Sequence, residues 1–165
     1  MRAWLIGLMS LALCQAAAAQ GDVSAQVAWY GVYTVEKPKV VDDPASPTGK
    51  RNANMPVPPT VNSARIPGNQ GVYFGLSFVL AGPAGAAFAV KEVYRFPPGG
   101  MPDKVNGGTR STYESVLQAT VGKPTLMGWS FANAPPEQRV SGDWTFEVWQ
   151  GGRKLLEQTF TVYSP

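Results

Sequence analysis

The sequence predicts an all-β protein built as an antiparallel β-sandwich, and three observations support this class. Apolar and polar residues alternate over short segments that recur roughly every ten residues, as in half-buried strands. Between these segments lie many of the 18 Gly and 15 Pro residues, which favour turns. No segment after the N-terminal stretch has the apolar stripe of a packed helix. The 5 Trp, 6 Tyr and 7 Phe residues can supply a packed core.

Residues 1–19 have the features of a secretory signal peptide. Arg2 supplies a positive charge, and residues 3–13 form an uncharged apolar run that is too short to span a bilayer comfortably. Residues 17–19 are alanines that fit the A-x-A cleavage rule, so we expect the mature chain to begin at Gln20. A buried N-terminal helix is the alternative, but no later segment carries a helical stripe to pack against it. We therefore predict a periplasmic or extracellular protein.

Residues 20–165 are predicted to form one β-sandwich domain that needs no disulfide bond. Cys14 is the only cysteine of the chain, and it lies inside the predicted signal peptide. A lipid anchor on Cys14 is an alternative, although Leu13 stands where a lipoprotein signal would carry a small residue. No later segment is apolar enough to span a membrane.

Residues 23–36 are predicted to form the first strand, with one face buried. The alternation places Val27, Trp29, Tyr33 and Val35 on one face and Gln26, Tyr30, Thr34 and Glu36 on the other. Tyr30 is therefore expected to point away from the core.

A long Pro-rich loop is predicted at residues 37–70. Prolines recur through it and break any regular element, and residues 37–65 also carry several Lys and Arg side chains. A connection of this length is either functional or partly mobile.

Two further strands are predicted at residues 72–81 and 86–96. Glu92 falls on the apolar face of the second, with neighbours such as Val90 and Tyr94. We interpret Glu92 as a bulge or strand-rim residue rather than a buried functional carboxylate.

The next segments predict strands less clearly. Residues 103–112 are predicted to be a polar loop, and residues 113–122 and 125–131 are weaker strand candidates. Trp129 and Phe131 share a face in the last of these and are assigned to the core.

The C-terminal segment predicts a β-hairpin, with strands at residues 142–149 and 153–163. A two-residue Gly151-Gly152 loop would place Glu157 opposite Phe146, whereas a three-residue loop would place Leu156 there. Parity therefore favours a three-residue loop, or a two-residue loop followed by a bulge. The predicted core layer consists of Trp144, Phe146, Val148, Leu156, Phe160 and Val162, packed on Phe74, Leu76 and Phe78.

Four segments in this order match the pattern of a known family. They are Tyr-Gly-Val-Tyr at 30–33; Ile66-Pro67 followed by Gly-Val-Tyr-Phe-Gly at 71–75; Phe-Pro-Pro-Gly at 96–99; and the hairpin with Gly142, Trp144 and Phe146 that ends in Phe-Thr-Val at 160–162. Together they resemble the domain of unknown function 3859 family of exported bacterial proteins. The resemblance implies an immunoglobulin-like sandwich and carries over no catalytic residue.

The residue types exclude several chemistries. The chain has no histidine, and after signal cleavage no cysteine, which removes the commonest acid/base group, the commonest metal ligand and the thiol nucleophile. Asp42-Asp43 is interpreted as solvated loop charge. No calcium loop, phosphate loop or nucleophile elbow is present, the last because no such motif surrounds Ser111, Ser115, Ser130 or Ser141. We predict a non-enzymatic protein with no catalytic residues, no cofactor and no metal.

Binding has more support, from two aromatic residues. Alternation puts Trp149 opposite Trp144 and puts Tyr30 opposite Trp29, so both are predicted on outward faces where they can contact a ligand or partner. The alternatives are that another element covers them or that they are isolated surface aromatic residues. The net charge of +3 is too small to indicate nucleic-acid binding.

The predicted function is an exported, non-enzymatic binding or structural module whose partner is an envelope protein or a glycan. The alternative is a carboxylate-dependent hydrolase that acts on cell-wall or extracellular glycans. Such an enzyme needs a pair of suitably spaced carboxyl groups in a cleft.

Overall fold

A computed structural model describes residues 22–36, 39–52 and 56–164, so the predicted signal peptide and Cys14 lie outside the described residues. The described part consists of strands and one 3₁₀ turn at Pro136–Gln138. In chain order the strands are β1 (Ser24–Val35), β2 (Val40–Asp42), β3 (Lys50–Asn52), β4 (Pro56–Val57), β5 (Arg65–Pro67), β6 (Tyr73–Ala81), β7 (Ala87–Arg95), β8 (Met101–Pro102), β9 (Thr109–Arg110), β10 (Thr112–Thr120), β11 (Pro124–Ser130), β12 (Gly142–Gln150) and β13 (Arg153–Tyr163).

Nine of the strands form two sheets that pack face to face, which confirms the predicted all-β sandwich, and the other four form the separate pairs β2-β3 and β8-β9. One sheet has the order β11-β6-β1-β4 and the other has the order β10-β7-β12-β13-β5. Neighbouring strands are antiparallel, except that β5 runs parallel to β13. Because the two sheets end at β10 and β11 on the same side, the sandwich is open along that edge.

Aromatic rings fill the space between the sheets. The ring centroid of Phe74 on β6 lies 5.7 Å from that of Trp144 and 5.6 Å from that of Phe160. Phe146 is fully buried, and its ring lies 5.0 Å from Phe160. The predicted core layer is thus confirmed, with Leu156 partly buried at its margin. Trp129 and Phe131 are also in this core.

A bulge in β1 overturns the predicted faces of that strand. Val27 pairs with Phe78 and Trp29 pairs with Ser77, so Ala28 is an extra residue that reverses the alternation. Tyr30 consequently packs against the core, with its ring 6.5 Å from that of Phe160. The prediction that Tyr30 points away from the core is wrong.

The C-terminal hairpin adopts the second of the two predicted arrangements. Gln150 pairs with Arg153 across a two-residue turn, in which Gly151 and Gly152 have φ of 54° and 82°. A bulge follows, and Phe146 therefore lies opposite Gln158 rather than opposite Leu156 or Glu157.

The Pro-rich segment contains short strands, so the prediction that no regular element forms there is wrong. Strands β2 and β3 pair as a hairpin, β4 extends the sheet beside β1, and β5 pairs with β13. Ile66 of β5 is fully buried in the core. The predicted polar loop at 103–112 likewise contains a short strand, β9, which pairs with β8 just before the loop.

Candidate functional site

A cavity of about 290 Å³ lies at the open edge of the sandwich. Its floor is the inner face of β7 and β10, one wall is the edge strand β11, and the β2–β3 hairpin covers it. We call it the Glu92 cavity; its walls include Glu92, Tyr94, Tyr113, Ser115, Trp129 and Tyr33.

Glu92 is the buried acidic residue of this cavity. Only 6% of the residue is exposed. Its Oε2 atom accepts hydrogen bonds from the Ser115 hydroxyl at 2.8 Å and from the Tyr94 hydroxyl at 3.3 Å. Its Oε1 atom is buried and has no hydrogen-bond partner among the described residues. One oxygen is thus held in place while the other is left free.

The surrounding ladder is regular, so the interpretation of Glu92 as a bulge or rim residue is wrong. Glu92 pairs with Ser115 on β10 and with Val148 on β12, with no shift of register on either side. Strand alternation therefore turns Glu92 inward together with Val90 and Tyr94. The sequence signal was present, as a carboxylate on an apolar face.

Burial controls the protonation of Glu92. Desolvation raises the pKa of Glu92 from 4.5 to about 7, against the opposing effect of the hydrogen bonds from Ser115 and Tyr94. The carboxyl group is therefore about half ionised at neutral pH.

Aromatic side chains form the walls around this carboxyl group. The rings of Tyr94 and Tyr113 stack at 5.4 Å, and Trp129 lies 5.5 Å from Tyr94. Burial raises the pKa of Tyr113 to about 12 and that of Tyr94 well above 10, so both phenols are neutral at physiological pH.

The absence of a side chain at Gly128 allows the phenol of Tyr33 to reach the cavity. Tyr33 lies on the outer face of β1, and its hydroxyl group reaches Gly128 at the edge strand β11. A side chain at Gly128 would overlap that hydroxyl group. Burial raises the pKa of Tyr33 above its ordinary value. Gly128 thus gives Tyr33 access to the cavity across the sheet edge.

The mouth of the cavity is basic. Lys50, Arg51 and Lys104, which we call the cationic rim, line it and are exposed. Lys50 pairs with Asp42, and the Arg51 guanidinium lies 4.0 Å from the Asp43 carboxylate. The rim therefore carries more positive than negative charge.

The two adjacent acids of the hairpin differ, so the interpretation as solvated charge holds for only one of them. The Asp42 side chain is 80% exposed and pairs with Lys50. The Asp43 side chain is 16% exposed and accepts a hydrogen bond from the Tyr113 hydroxyl at 3.0 Å. Asp43 fastens the hairpin to the cavity wall.

The two aromatic residues predicted as contact sites are not brought together. Trp149 lies on the outer face of its sheet, partly buried; its indole N–H donates to Glu147 at 2.8 Å, and the Lys154 ammonium lies 5.5 Å from its ring. Tyr30 lies between the sheets. The two residues therefore lie on different faces of the sandwich, and a ligand or partner contact at either of them stays a prediction.

Two other buried carboxylates on the described residues are fully bonded. Glu147 accepts from Arg95 at 2.9 Å as well as from Trp149, and these hydrogen bonds hold its pKa below 4.5 despite burial. Asp103 accepts from Asn106 and Arg110, which lower its pKa. Neither has a free oxygen, so both are structural.

The acidic side chains of the described residues could contribute to a metal site or to a carboxylate pair. No group of three or more Asp, Glu, His or Cys side chains among them is placed to hold a metal ion. Glu92 is the one carboxylate among the described residues that line the cavity. The described part of the chain also has no helix with the length and apolarity needed to cross a bilayer.

Comparison with known proteins identifies the class of fold. Among solved structures, the crystal structure of an immunoglobulin-like protein from Pseudomonas aeruginosa is similar to this chain, with a TM-score of 0.59 and 24% identity. The match covers 88% of this chain and 99% of that one. The sandwich is therefore immunoglobulin-like, as the sequence resemblance implied.

The family follows from the match to a family model. The model described as Domain of unknown function (DUF3859) matches residues 23–162. The chain therefore belongs to the DUF3859 family. No curated protein matches it.

Proposed function

We propose that this protein is an exported, non-enzymatic binding module that holds a small polar molecule in the Glu92 cavity. The observation that carries the proposal is the free Oε1 atom of Glu92, buried at the cavity wall. Leaving a buried polar atom without a partner costs about 1–3 kcal/mol, and more for a charged group. A ligand that donates a hydrogen bond to this atom would recover that cost.

The construction of the cavity supports a binding role. Rigid paired strands supply Glu92, Ser115 and Tyr94, whereas the covering hairpin comes from the long Pro-rich segment. Binding residues often lie on loops that a rigid scaffold positions. The hairpin is fixed to that scaffold by the hydrogen bond from Tyr113 to Asp43.

A binding role fits the cavity better than glycan hydrolysis does. A glycosidase places two carboxyl groups on opposite sides of the scissile bond. The described cavity lining contributes Glu92 as its carboxylate, and the neighbouring phenols stay neutral. Export to the periplasm or beyond, which the signal-like residues 1–19 predict, would place this site in contact with envelope molecules.

The test is retention of small molecules by the mature protein. Wild type, Leu117→Trp and Gln118→Trp are each mixed with the small-molecule fraction of an envelope extract, separated by gel filtration and analysed by mass spectrometry. Leu117 lines the cavity, whereas Gln118 is exposed and opposite in orientation on the same strand. We expect wild type and Gln118→Trp to retain the same molecules and Leu117→Trp to lose them. Equal retention by all three, or none by wild type, would overturn the proposal.

A further inference from the structure

We infer that the Glu92 cavity takes a small zwitterion, with a primary ammonium group against Glu92 and an acidic group at the cationic rim. The inference rests on the proposed function and specifies the chemical class of the ligand. Three features carry it: the free oxygen of Glu92, the aromatic walls, and the charge of the mouth.

The hydrogen bonds around Glu92 define what a ligand must supply. Ser115 and Tyr94 both direct hydroxyl groups at Oε2. The free oxygen Oε1 therefore needs a donor, and no described cation pairs with Glu92. In a buried site a charged donor gains more than a neutral one, because the local dielectric constant is low and charge-assisted hydrogen bonds are stronger. An ammonium group offers three such donors.

The walls favour the same group. Tyr94, Tyr113 and Trp129 line the same cavity as Glu92, with ring centroids 5.4 to 6.1 Å apart. Aromatic faces attract cations, and the attraction grows when the cation is desolvated. A neutral alcohol or amide would gain nothing comparable.

The cationic rim decides against a plain amine. Lys50 has Asp42 as a partner, but Arg51 is only loosely paired and Lys104 adds a further charge at the mouth. Such a mouth repels a simple cation and attracts an acidic group. A volume of about 290 Å³ is at the small end of ligand sites, which commonly span about 300–1,000 Å³. A compact zwitterion satisfies both ends of the cavity.

Binding of such a ligand should depend on pH through Glu92. Facing Glu92 are the phenols of Tyr94, Tyr113 and Tyr33, the bonded carboxylate of Asp43 beyond Tyr113, and the cationic rim. The phenols remain neutral because burial raises their pKa values. With a pKa of about 7, Glu92 loses its charge as the pH falls, and affinity for an ammonium group falls with it.

The test is calorimetric titration of the mature protein with four probes of similar length: 4-aminobutanoate, n-butylamine, butanoate and butanamide. At pH 8 we expect 4-aminobutanoate to bind most tightly, n-butylamine more weakly, and the other two not detectably. Lowering the pH to 5.5 should weaken 4-aminobutanoate binding roughly 30-fold, the change in the ionised fraction of Glu92. Lys104→Gln should reduce the advantage of 4-aminobutanoate over n-butylamine.

Variants separate this inference from a general structural effect. Glu92→Gln should weaken 4-aminobutanoate binding roughly tenfold or more and make it independent of pH, because an amide cannot ionise. Glu114→Gln, which replaces an exposed carboxylate on β10, should bind 4-aminobutanoate as wild type does. Ser115→Ala should move the midpoint of the pH profile upward, because it removes a hydrogen bond that stabilises the ionised form.

The outcomes distinguish failure of the zwitterion inference from failure of the proposed function. If butanamide or butanoate binds as tightly as 4-aminobutanoate, or if Glu92→Gln binds as wild type does, the zwitterion inference is wrong. The proposed function would survive that result as long as Leu117→Trp still loses the retained envelope molecules. If wild type retains no molecule from the extract and binds none of the probes, both the zwitterion inference and the proposed function are wrong.

Discussion

Replacing Glu92 by Gln should remove a loss of stability that the wild-type protein suffers as the pH rises. The pKa of Glu92 is raised by burial from 4.5 to about 7. Between these values the folded state holds a proton that the unfolded state has released. The free energy of unfolding therefore falls as the pH rises from about 4.5, and the fall is complete above about pH 7.

The expected magnitude follows from the displacement of the pKa. A change from 4.5 to about 7 corresponds to about 3 kcal/mol, of which about 2 to 3 kcal/mol falls between pH 5 and pH 8. Other shifted side chains titrate outside this window. Asp103 and Glu147 have lowered pKa values, and the chain has no histidine. The window therefore isolates Glu92.

The measurement is urea unfolding of wild type, Glu92→Gln and the exposed control Glu114→Gln at pH 5 and pH 8. From pH 5 to pH 8, the free energy of unfolding of wild type and of Glu114→Gln should fall by about 2 to 3 kcal/mol. The free energy of unfolding of Glu92→Gln should fall much less. If Glu92→Gln shows the same pH dependence as wild type, the carboxyl group does not carry the raised pKa, and the reasoning about the cavity fails.

Three further predictions concern the core, the export signal and the outer aromatic residue. Phe146→Ala should cost roughly 3–5 kcal/mol in urea unfolding, because it removes a fully buried ring and leaves a cavity; an unchanged midpoint would contradict the strand assignment. N-terminal sequencing of exported protein should begin at Gln20, and a lipid-modified Cys14 at the N-terminus would refute this. If Trp149 contacts an envelope partner, folded Trp149→Ala should recover less of it in a pull-down than wild type does; equal recovery would eliminate that site.

The strands of the core could be predicted because their faces differ in polarity. Trp144, Phe146 and Val148 alternate with polar or solvent-facing residues, and a period of two then fixes which side chains meet. The hairpin turn could also be predicted from the sequence. Gly151 and Gly152 permit the positive φ values of a two-residue turn, and parity then requires a bulge.

Tyr30 shows where the same reasoning fails. One extra residue, Ala28, reverses the faces of everything that follows it in β1. The local sequence is compatible with either register, since Trp29 and Tyr30 are both aromatic. The choice depends on β6, where Phe74 and Leu76 face the core opposite Val32 and Tyr30. Pairing with a strand distant in sequence therefore determines which face of β1 carries Tyr30.

The cavity illustrates the limit more sharply, because its parts come from distant places in the chain. A carboxylate on the apolar face of β7 is ambiguous by itself, since a bulge would turn Glu92 outward. The pairing of Glu92 with Ser115 settles its direction, and that register depends on β10, about twenty residues later. The β2–β3 hairpin then covers the site through the bond between Asp43 and Tyr113, which join segments 70 positions apart. Local patterns predict such strands well, but a site assembled from several distant strands follows from register and from long-range side-chain contacts.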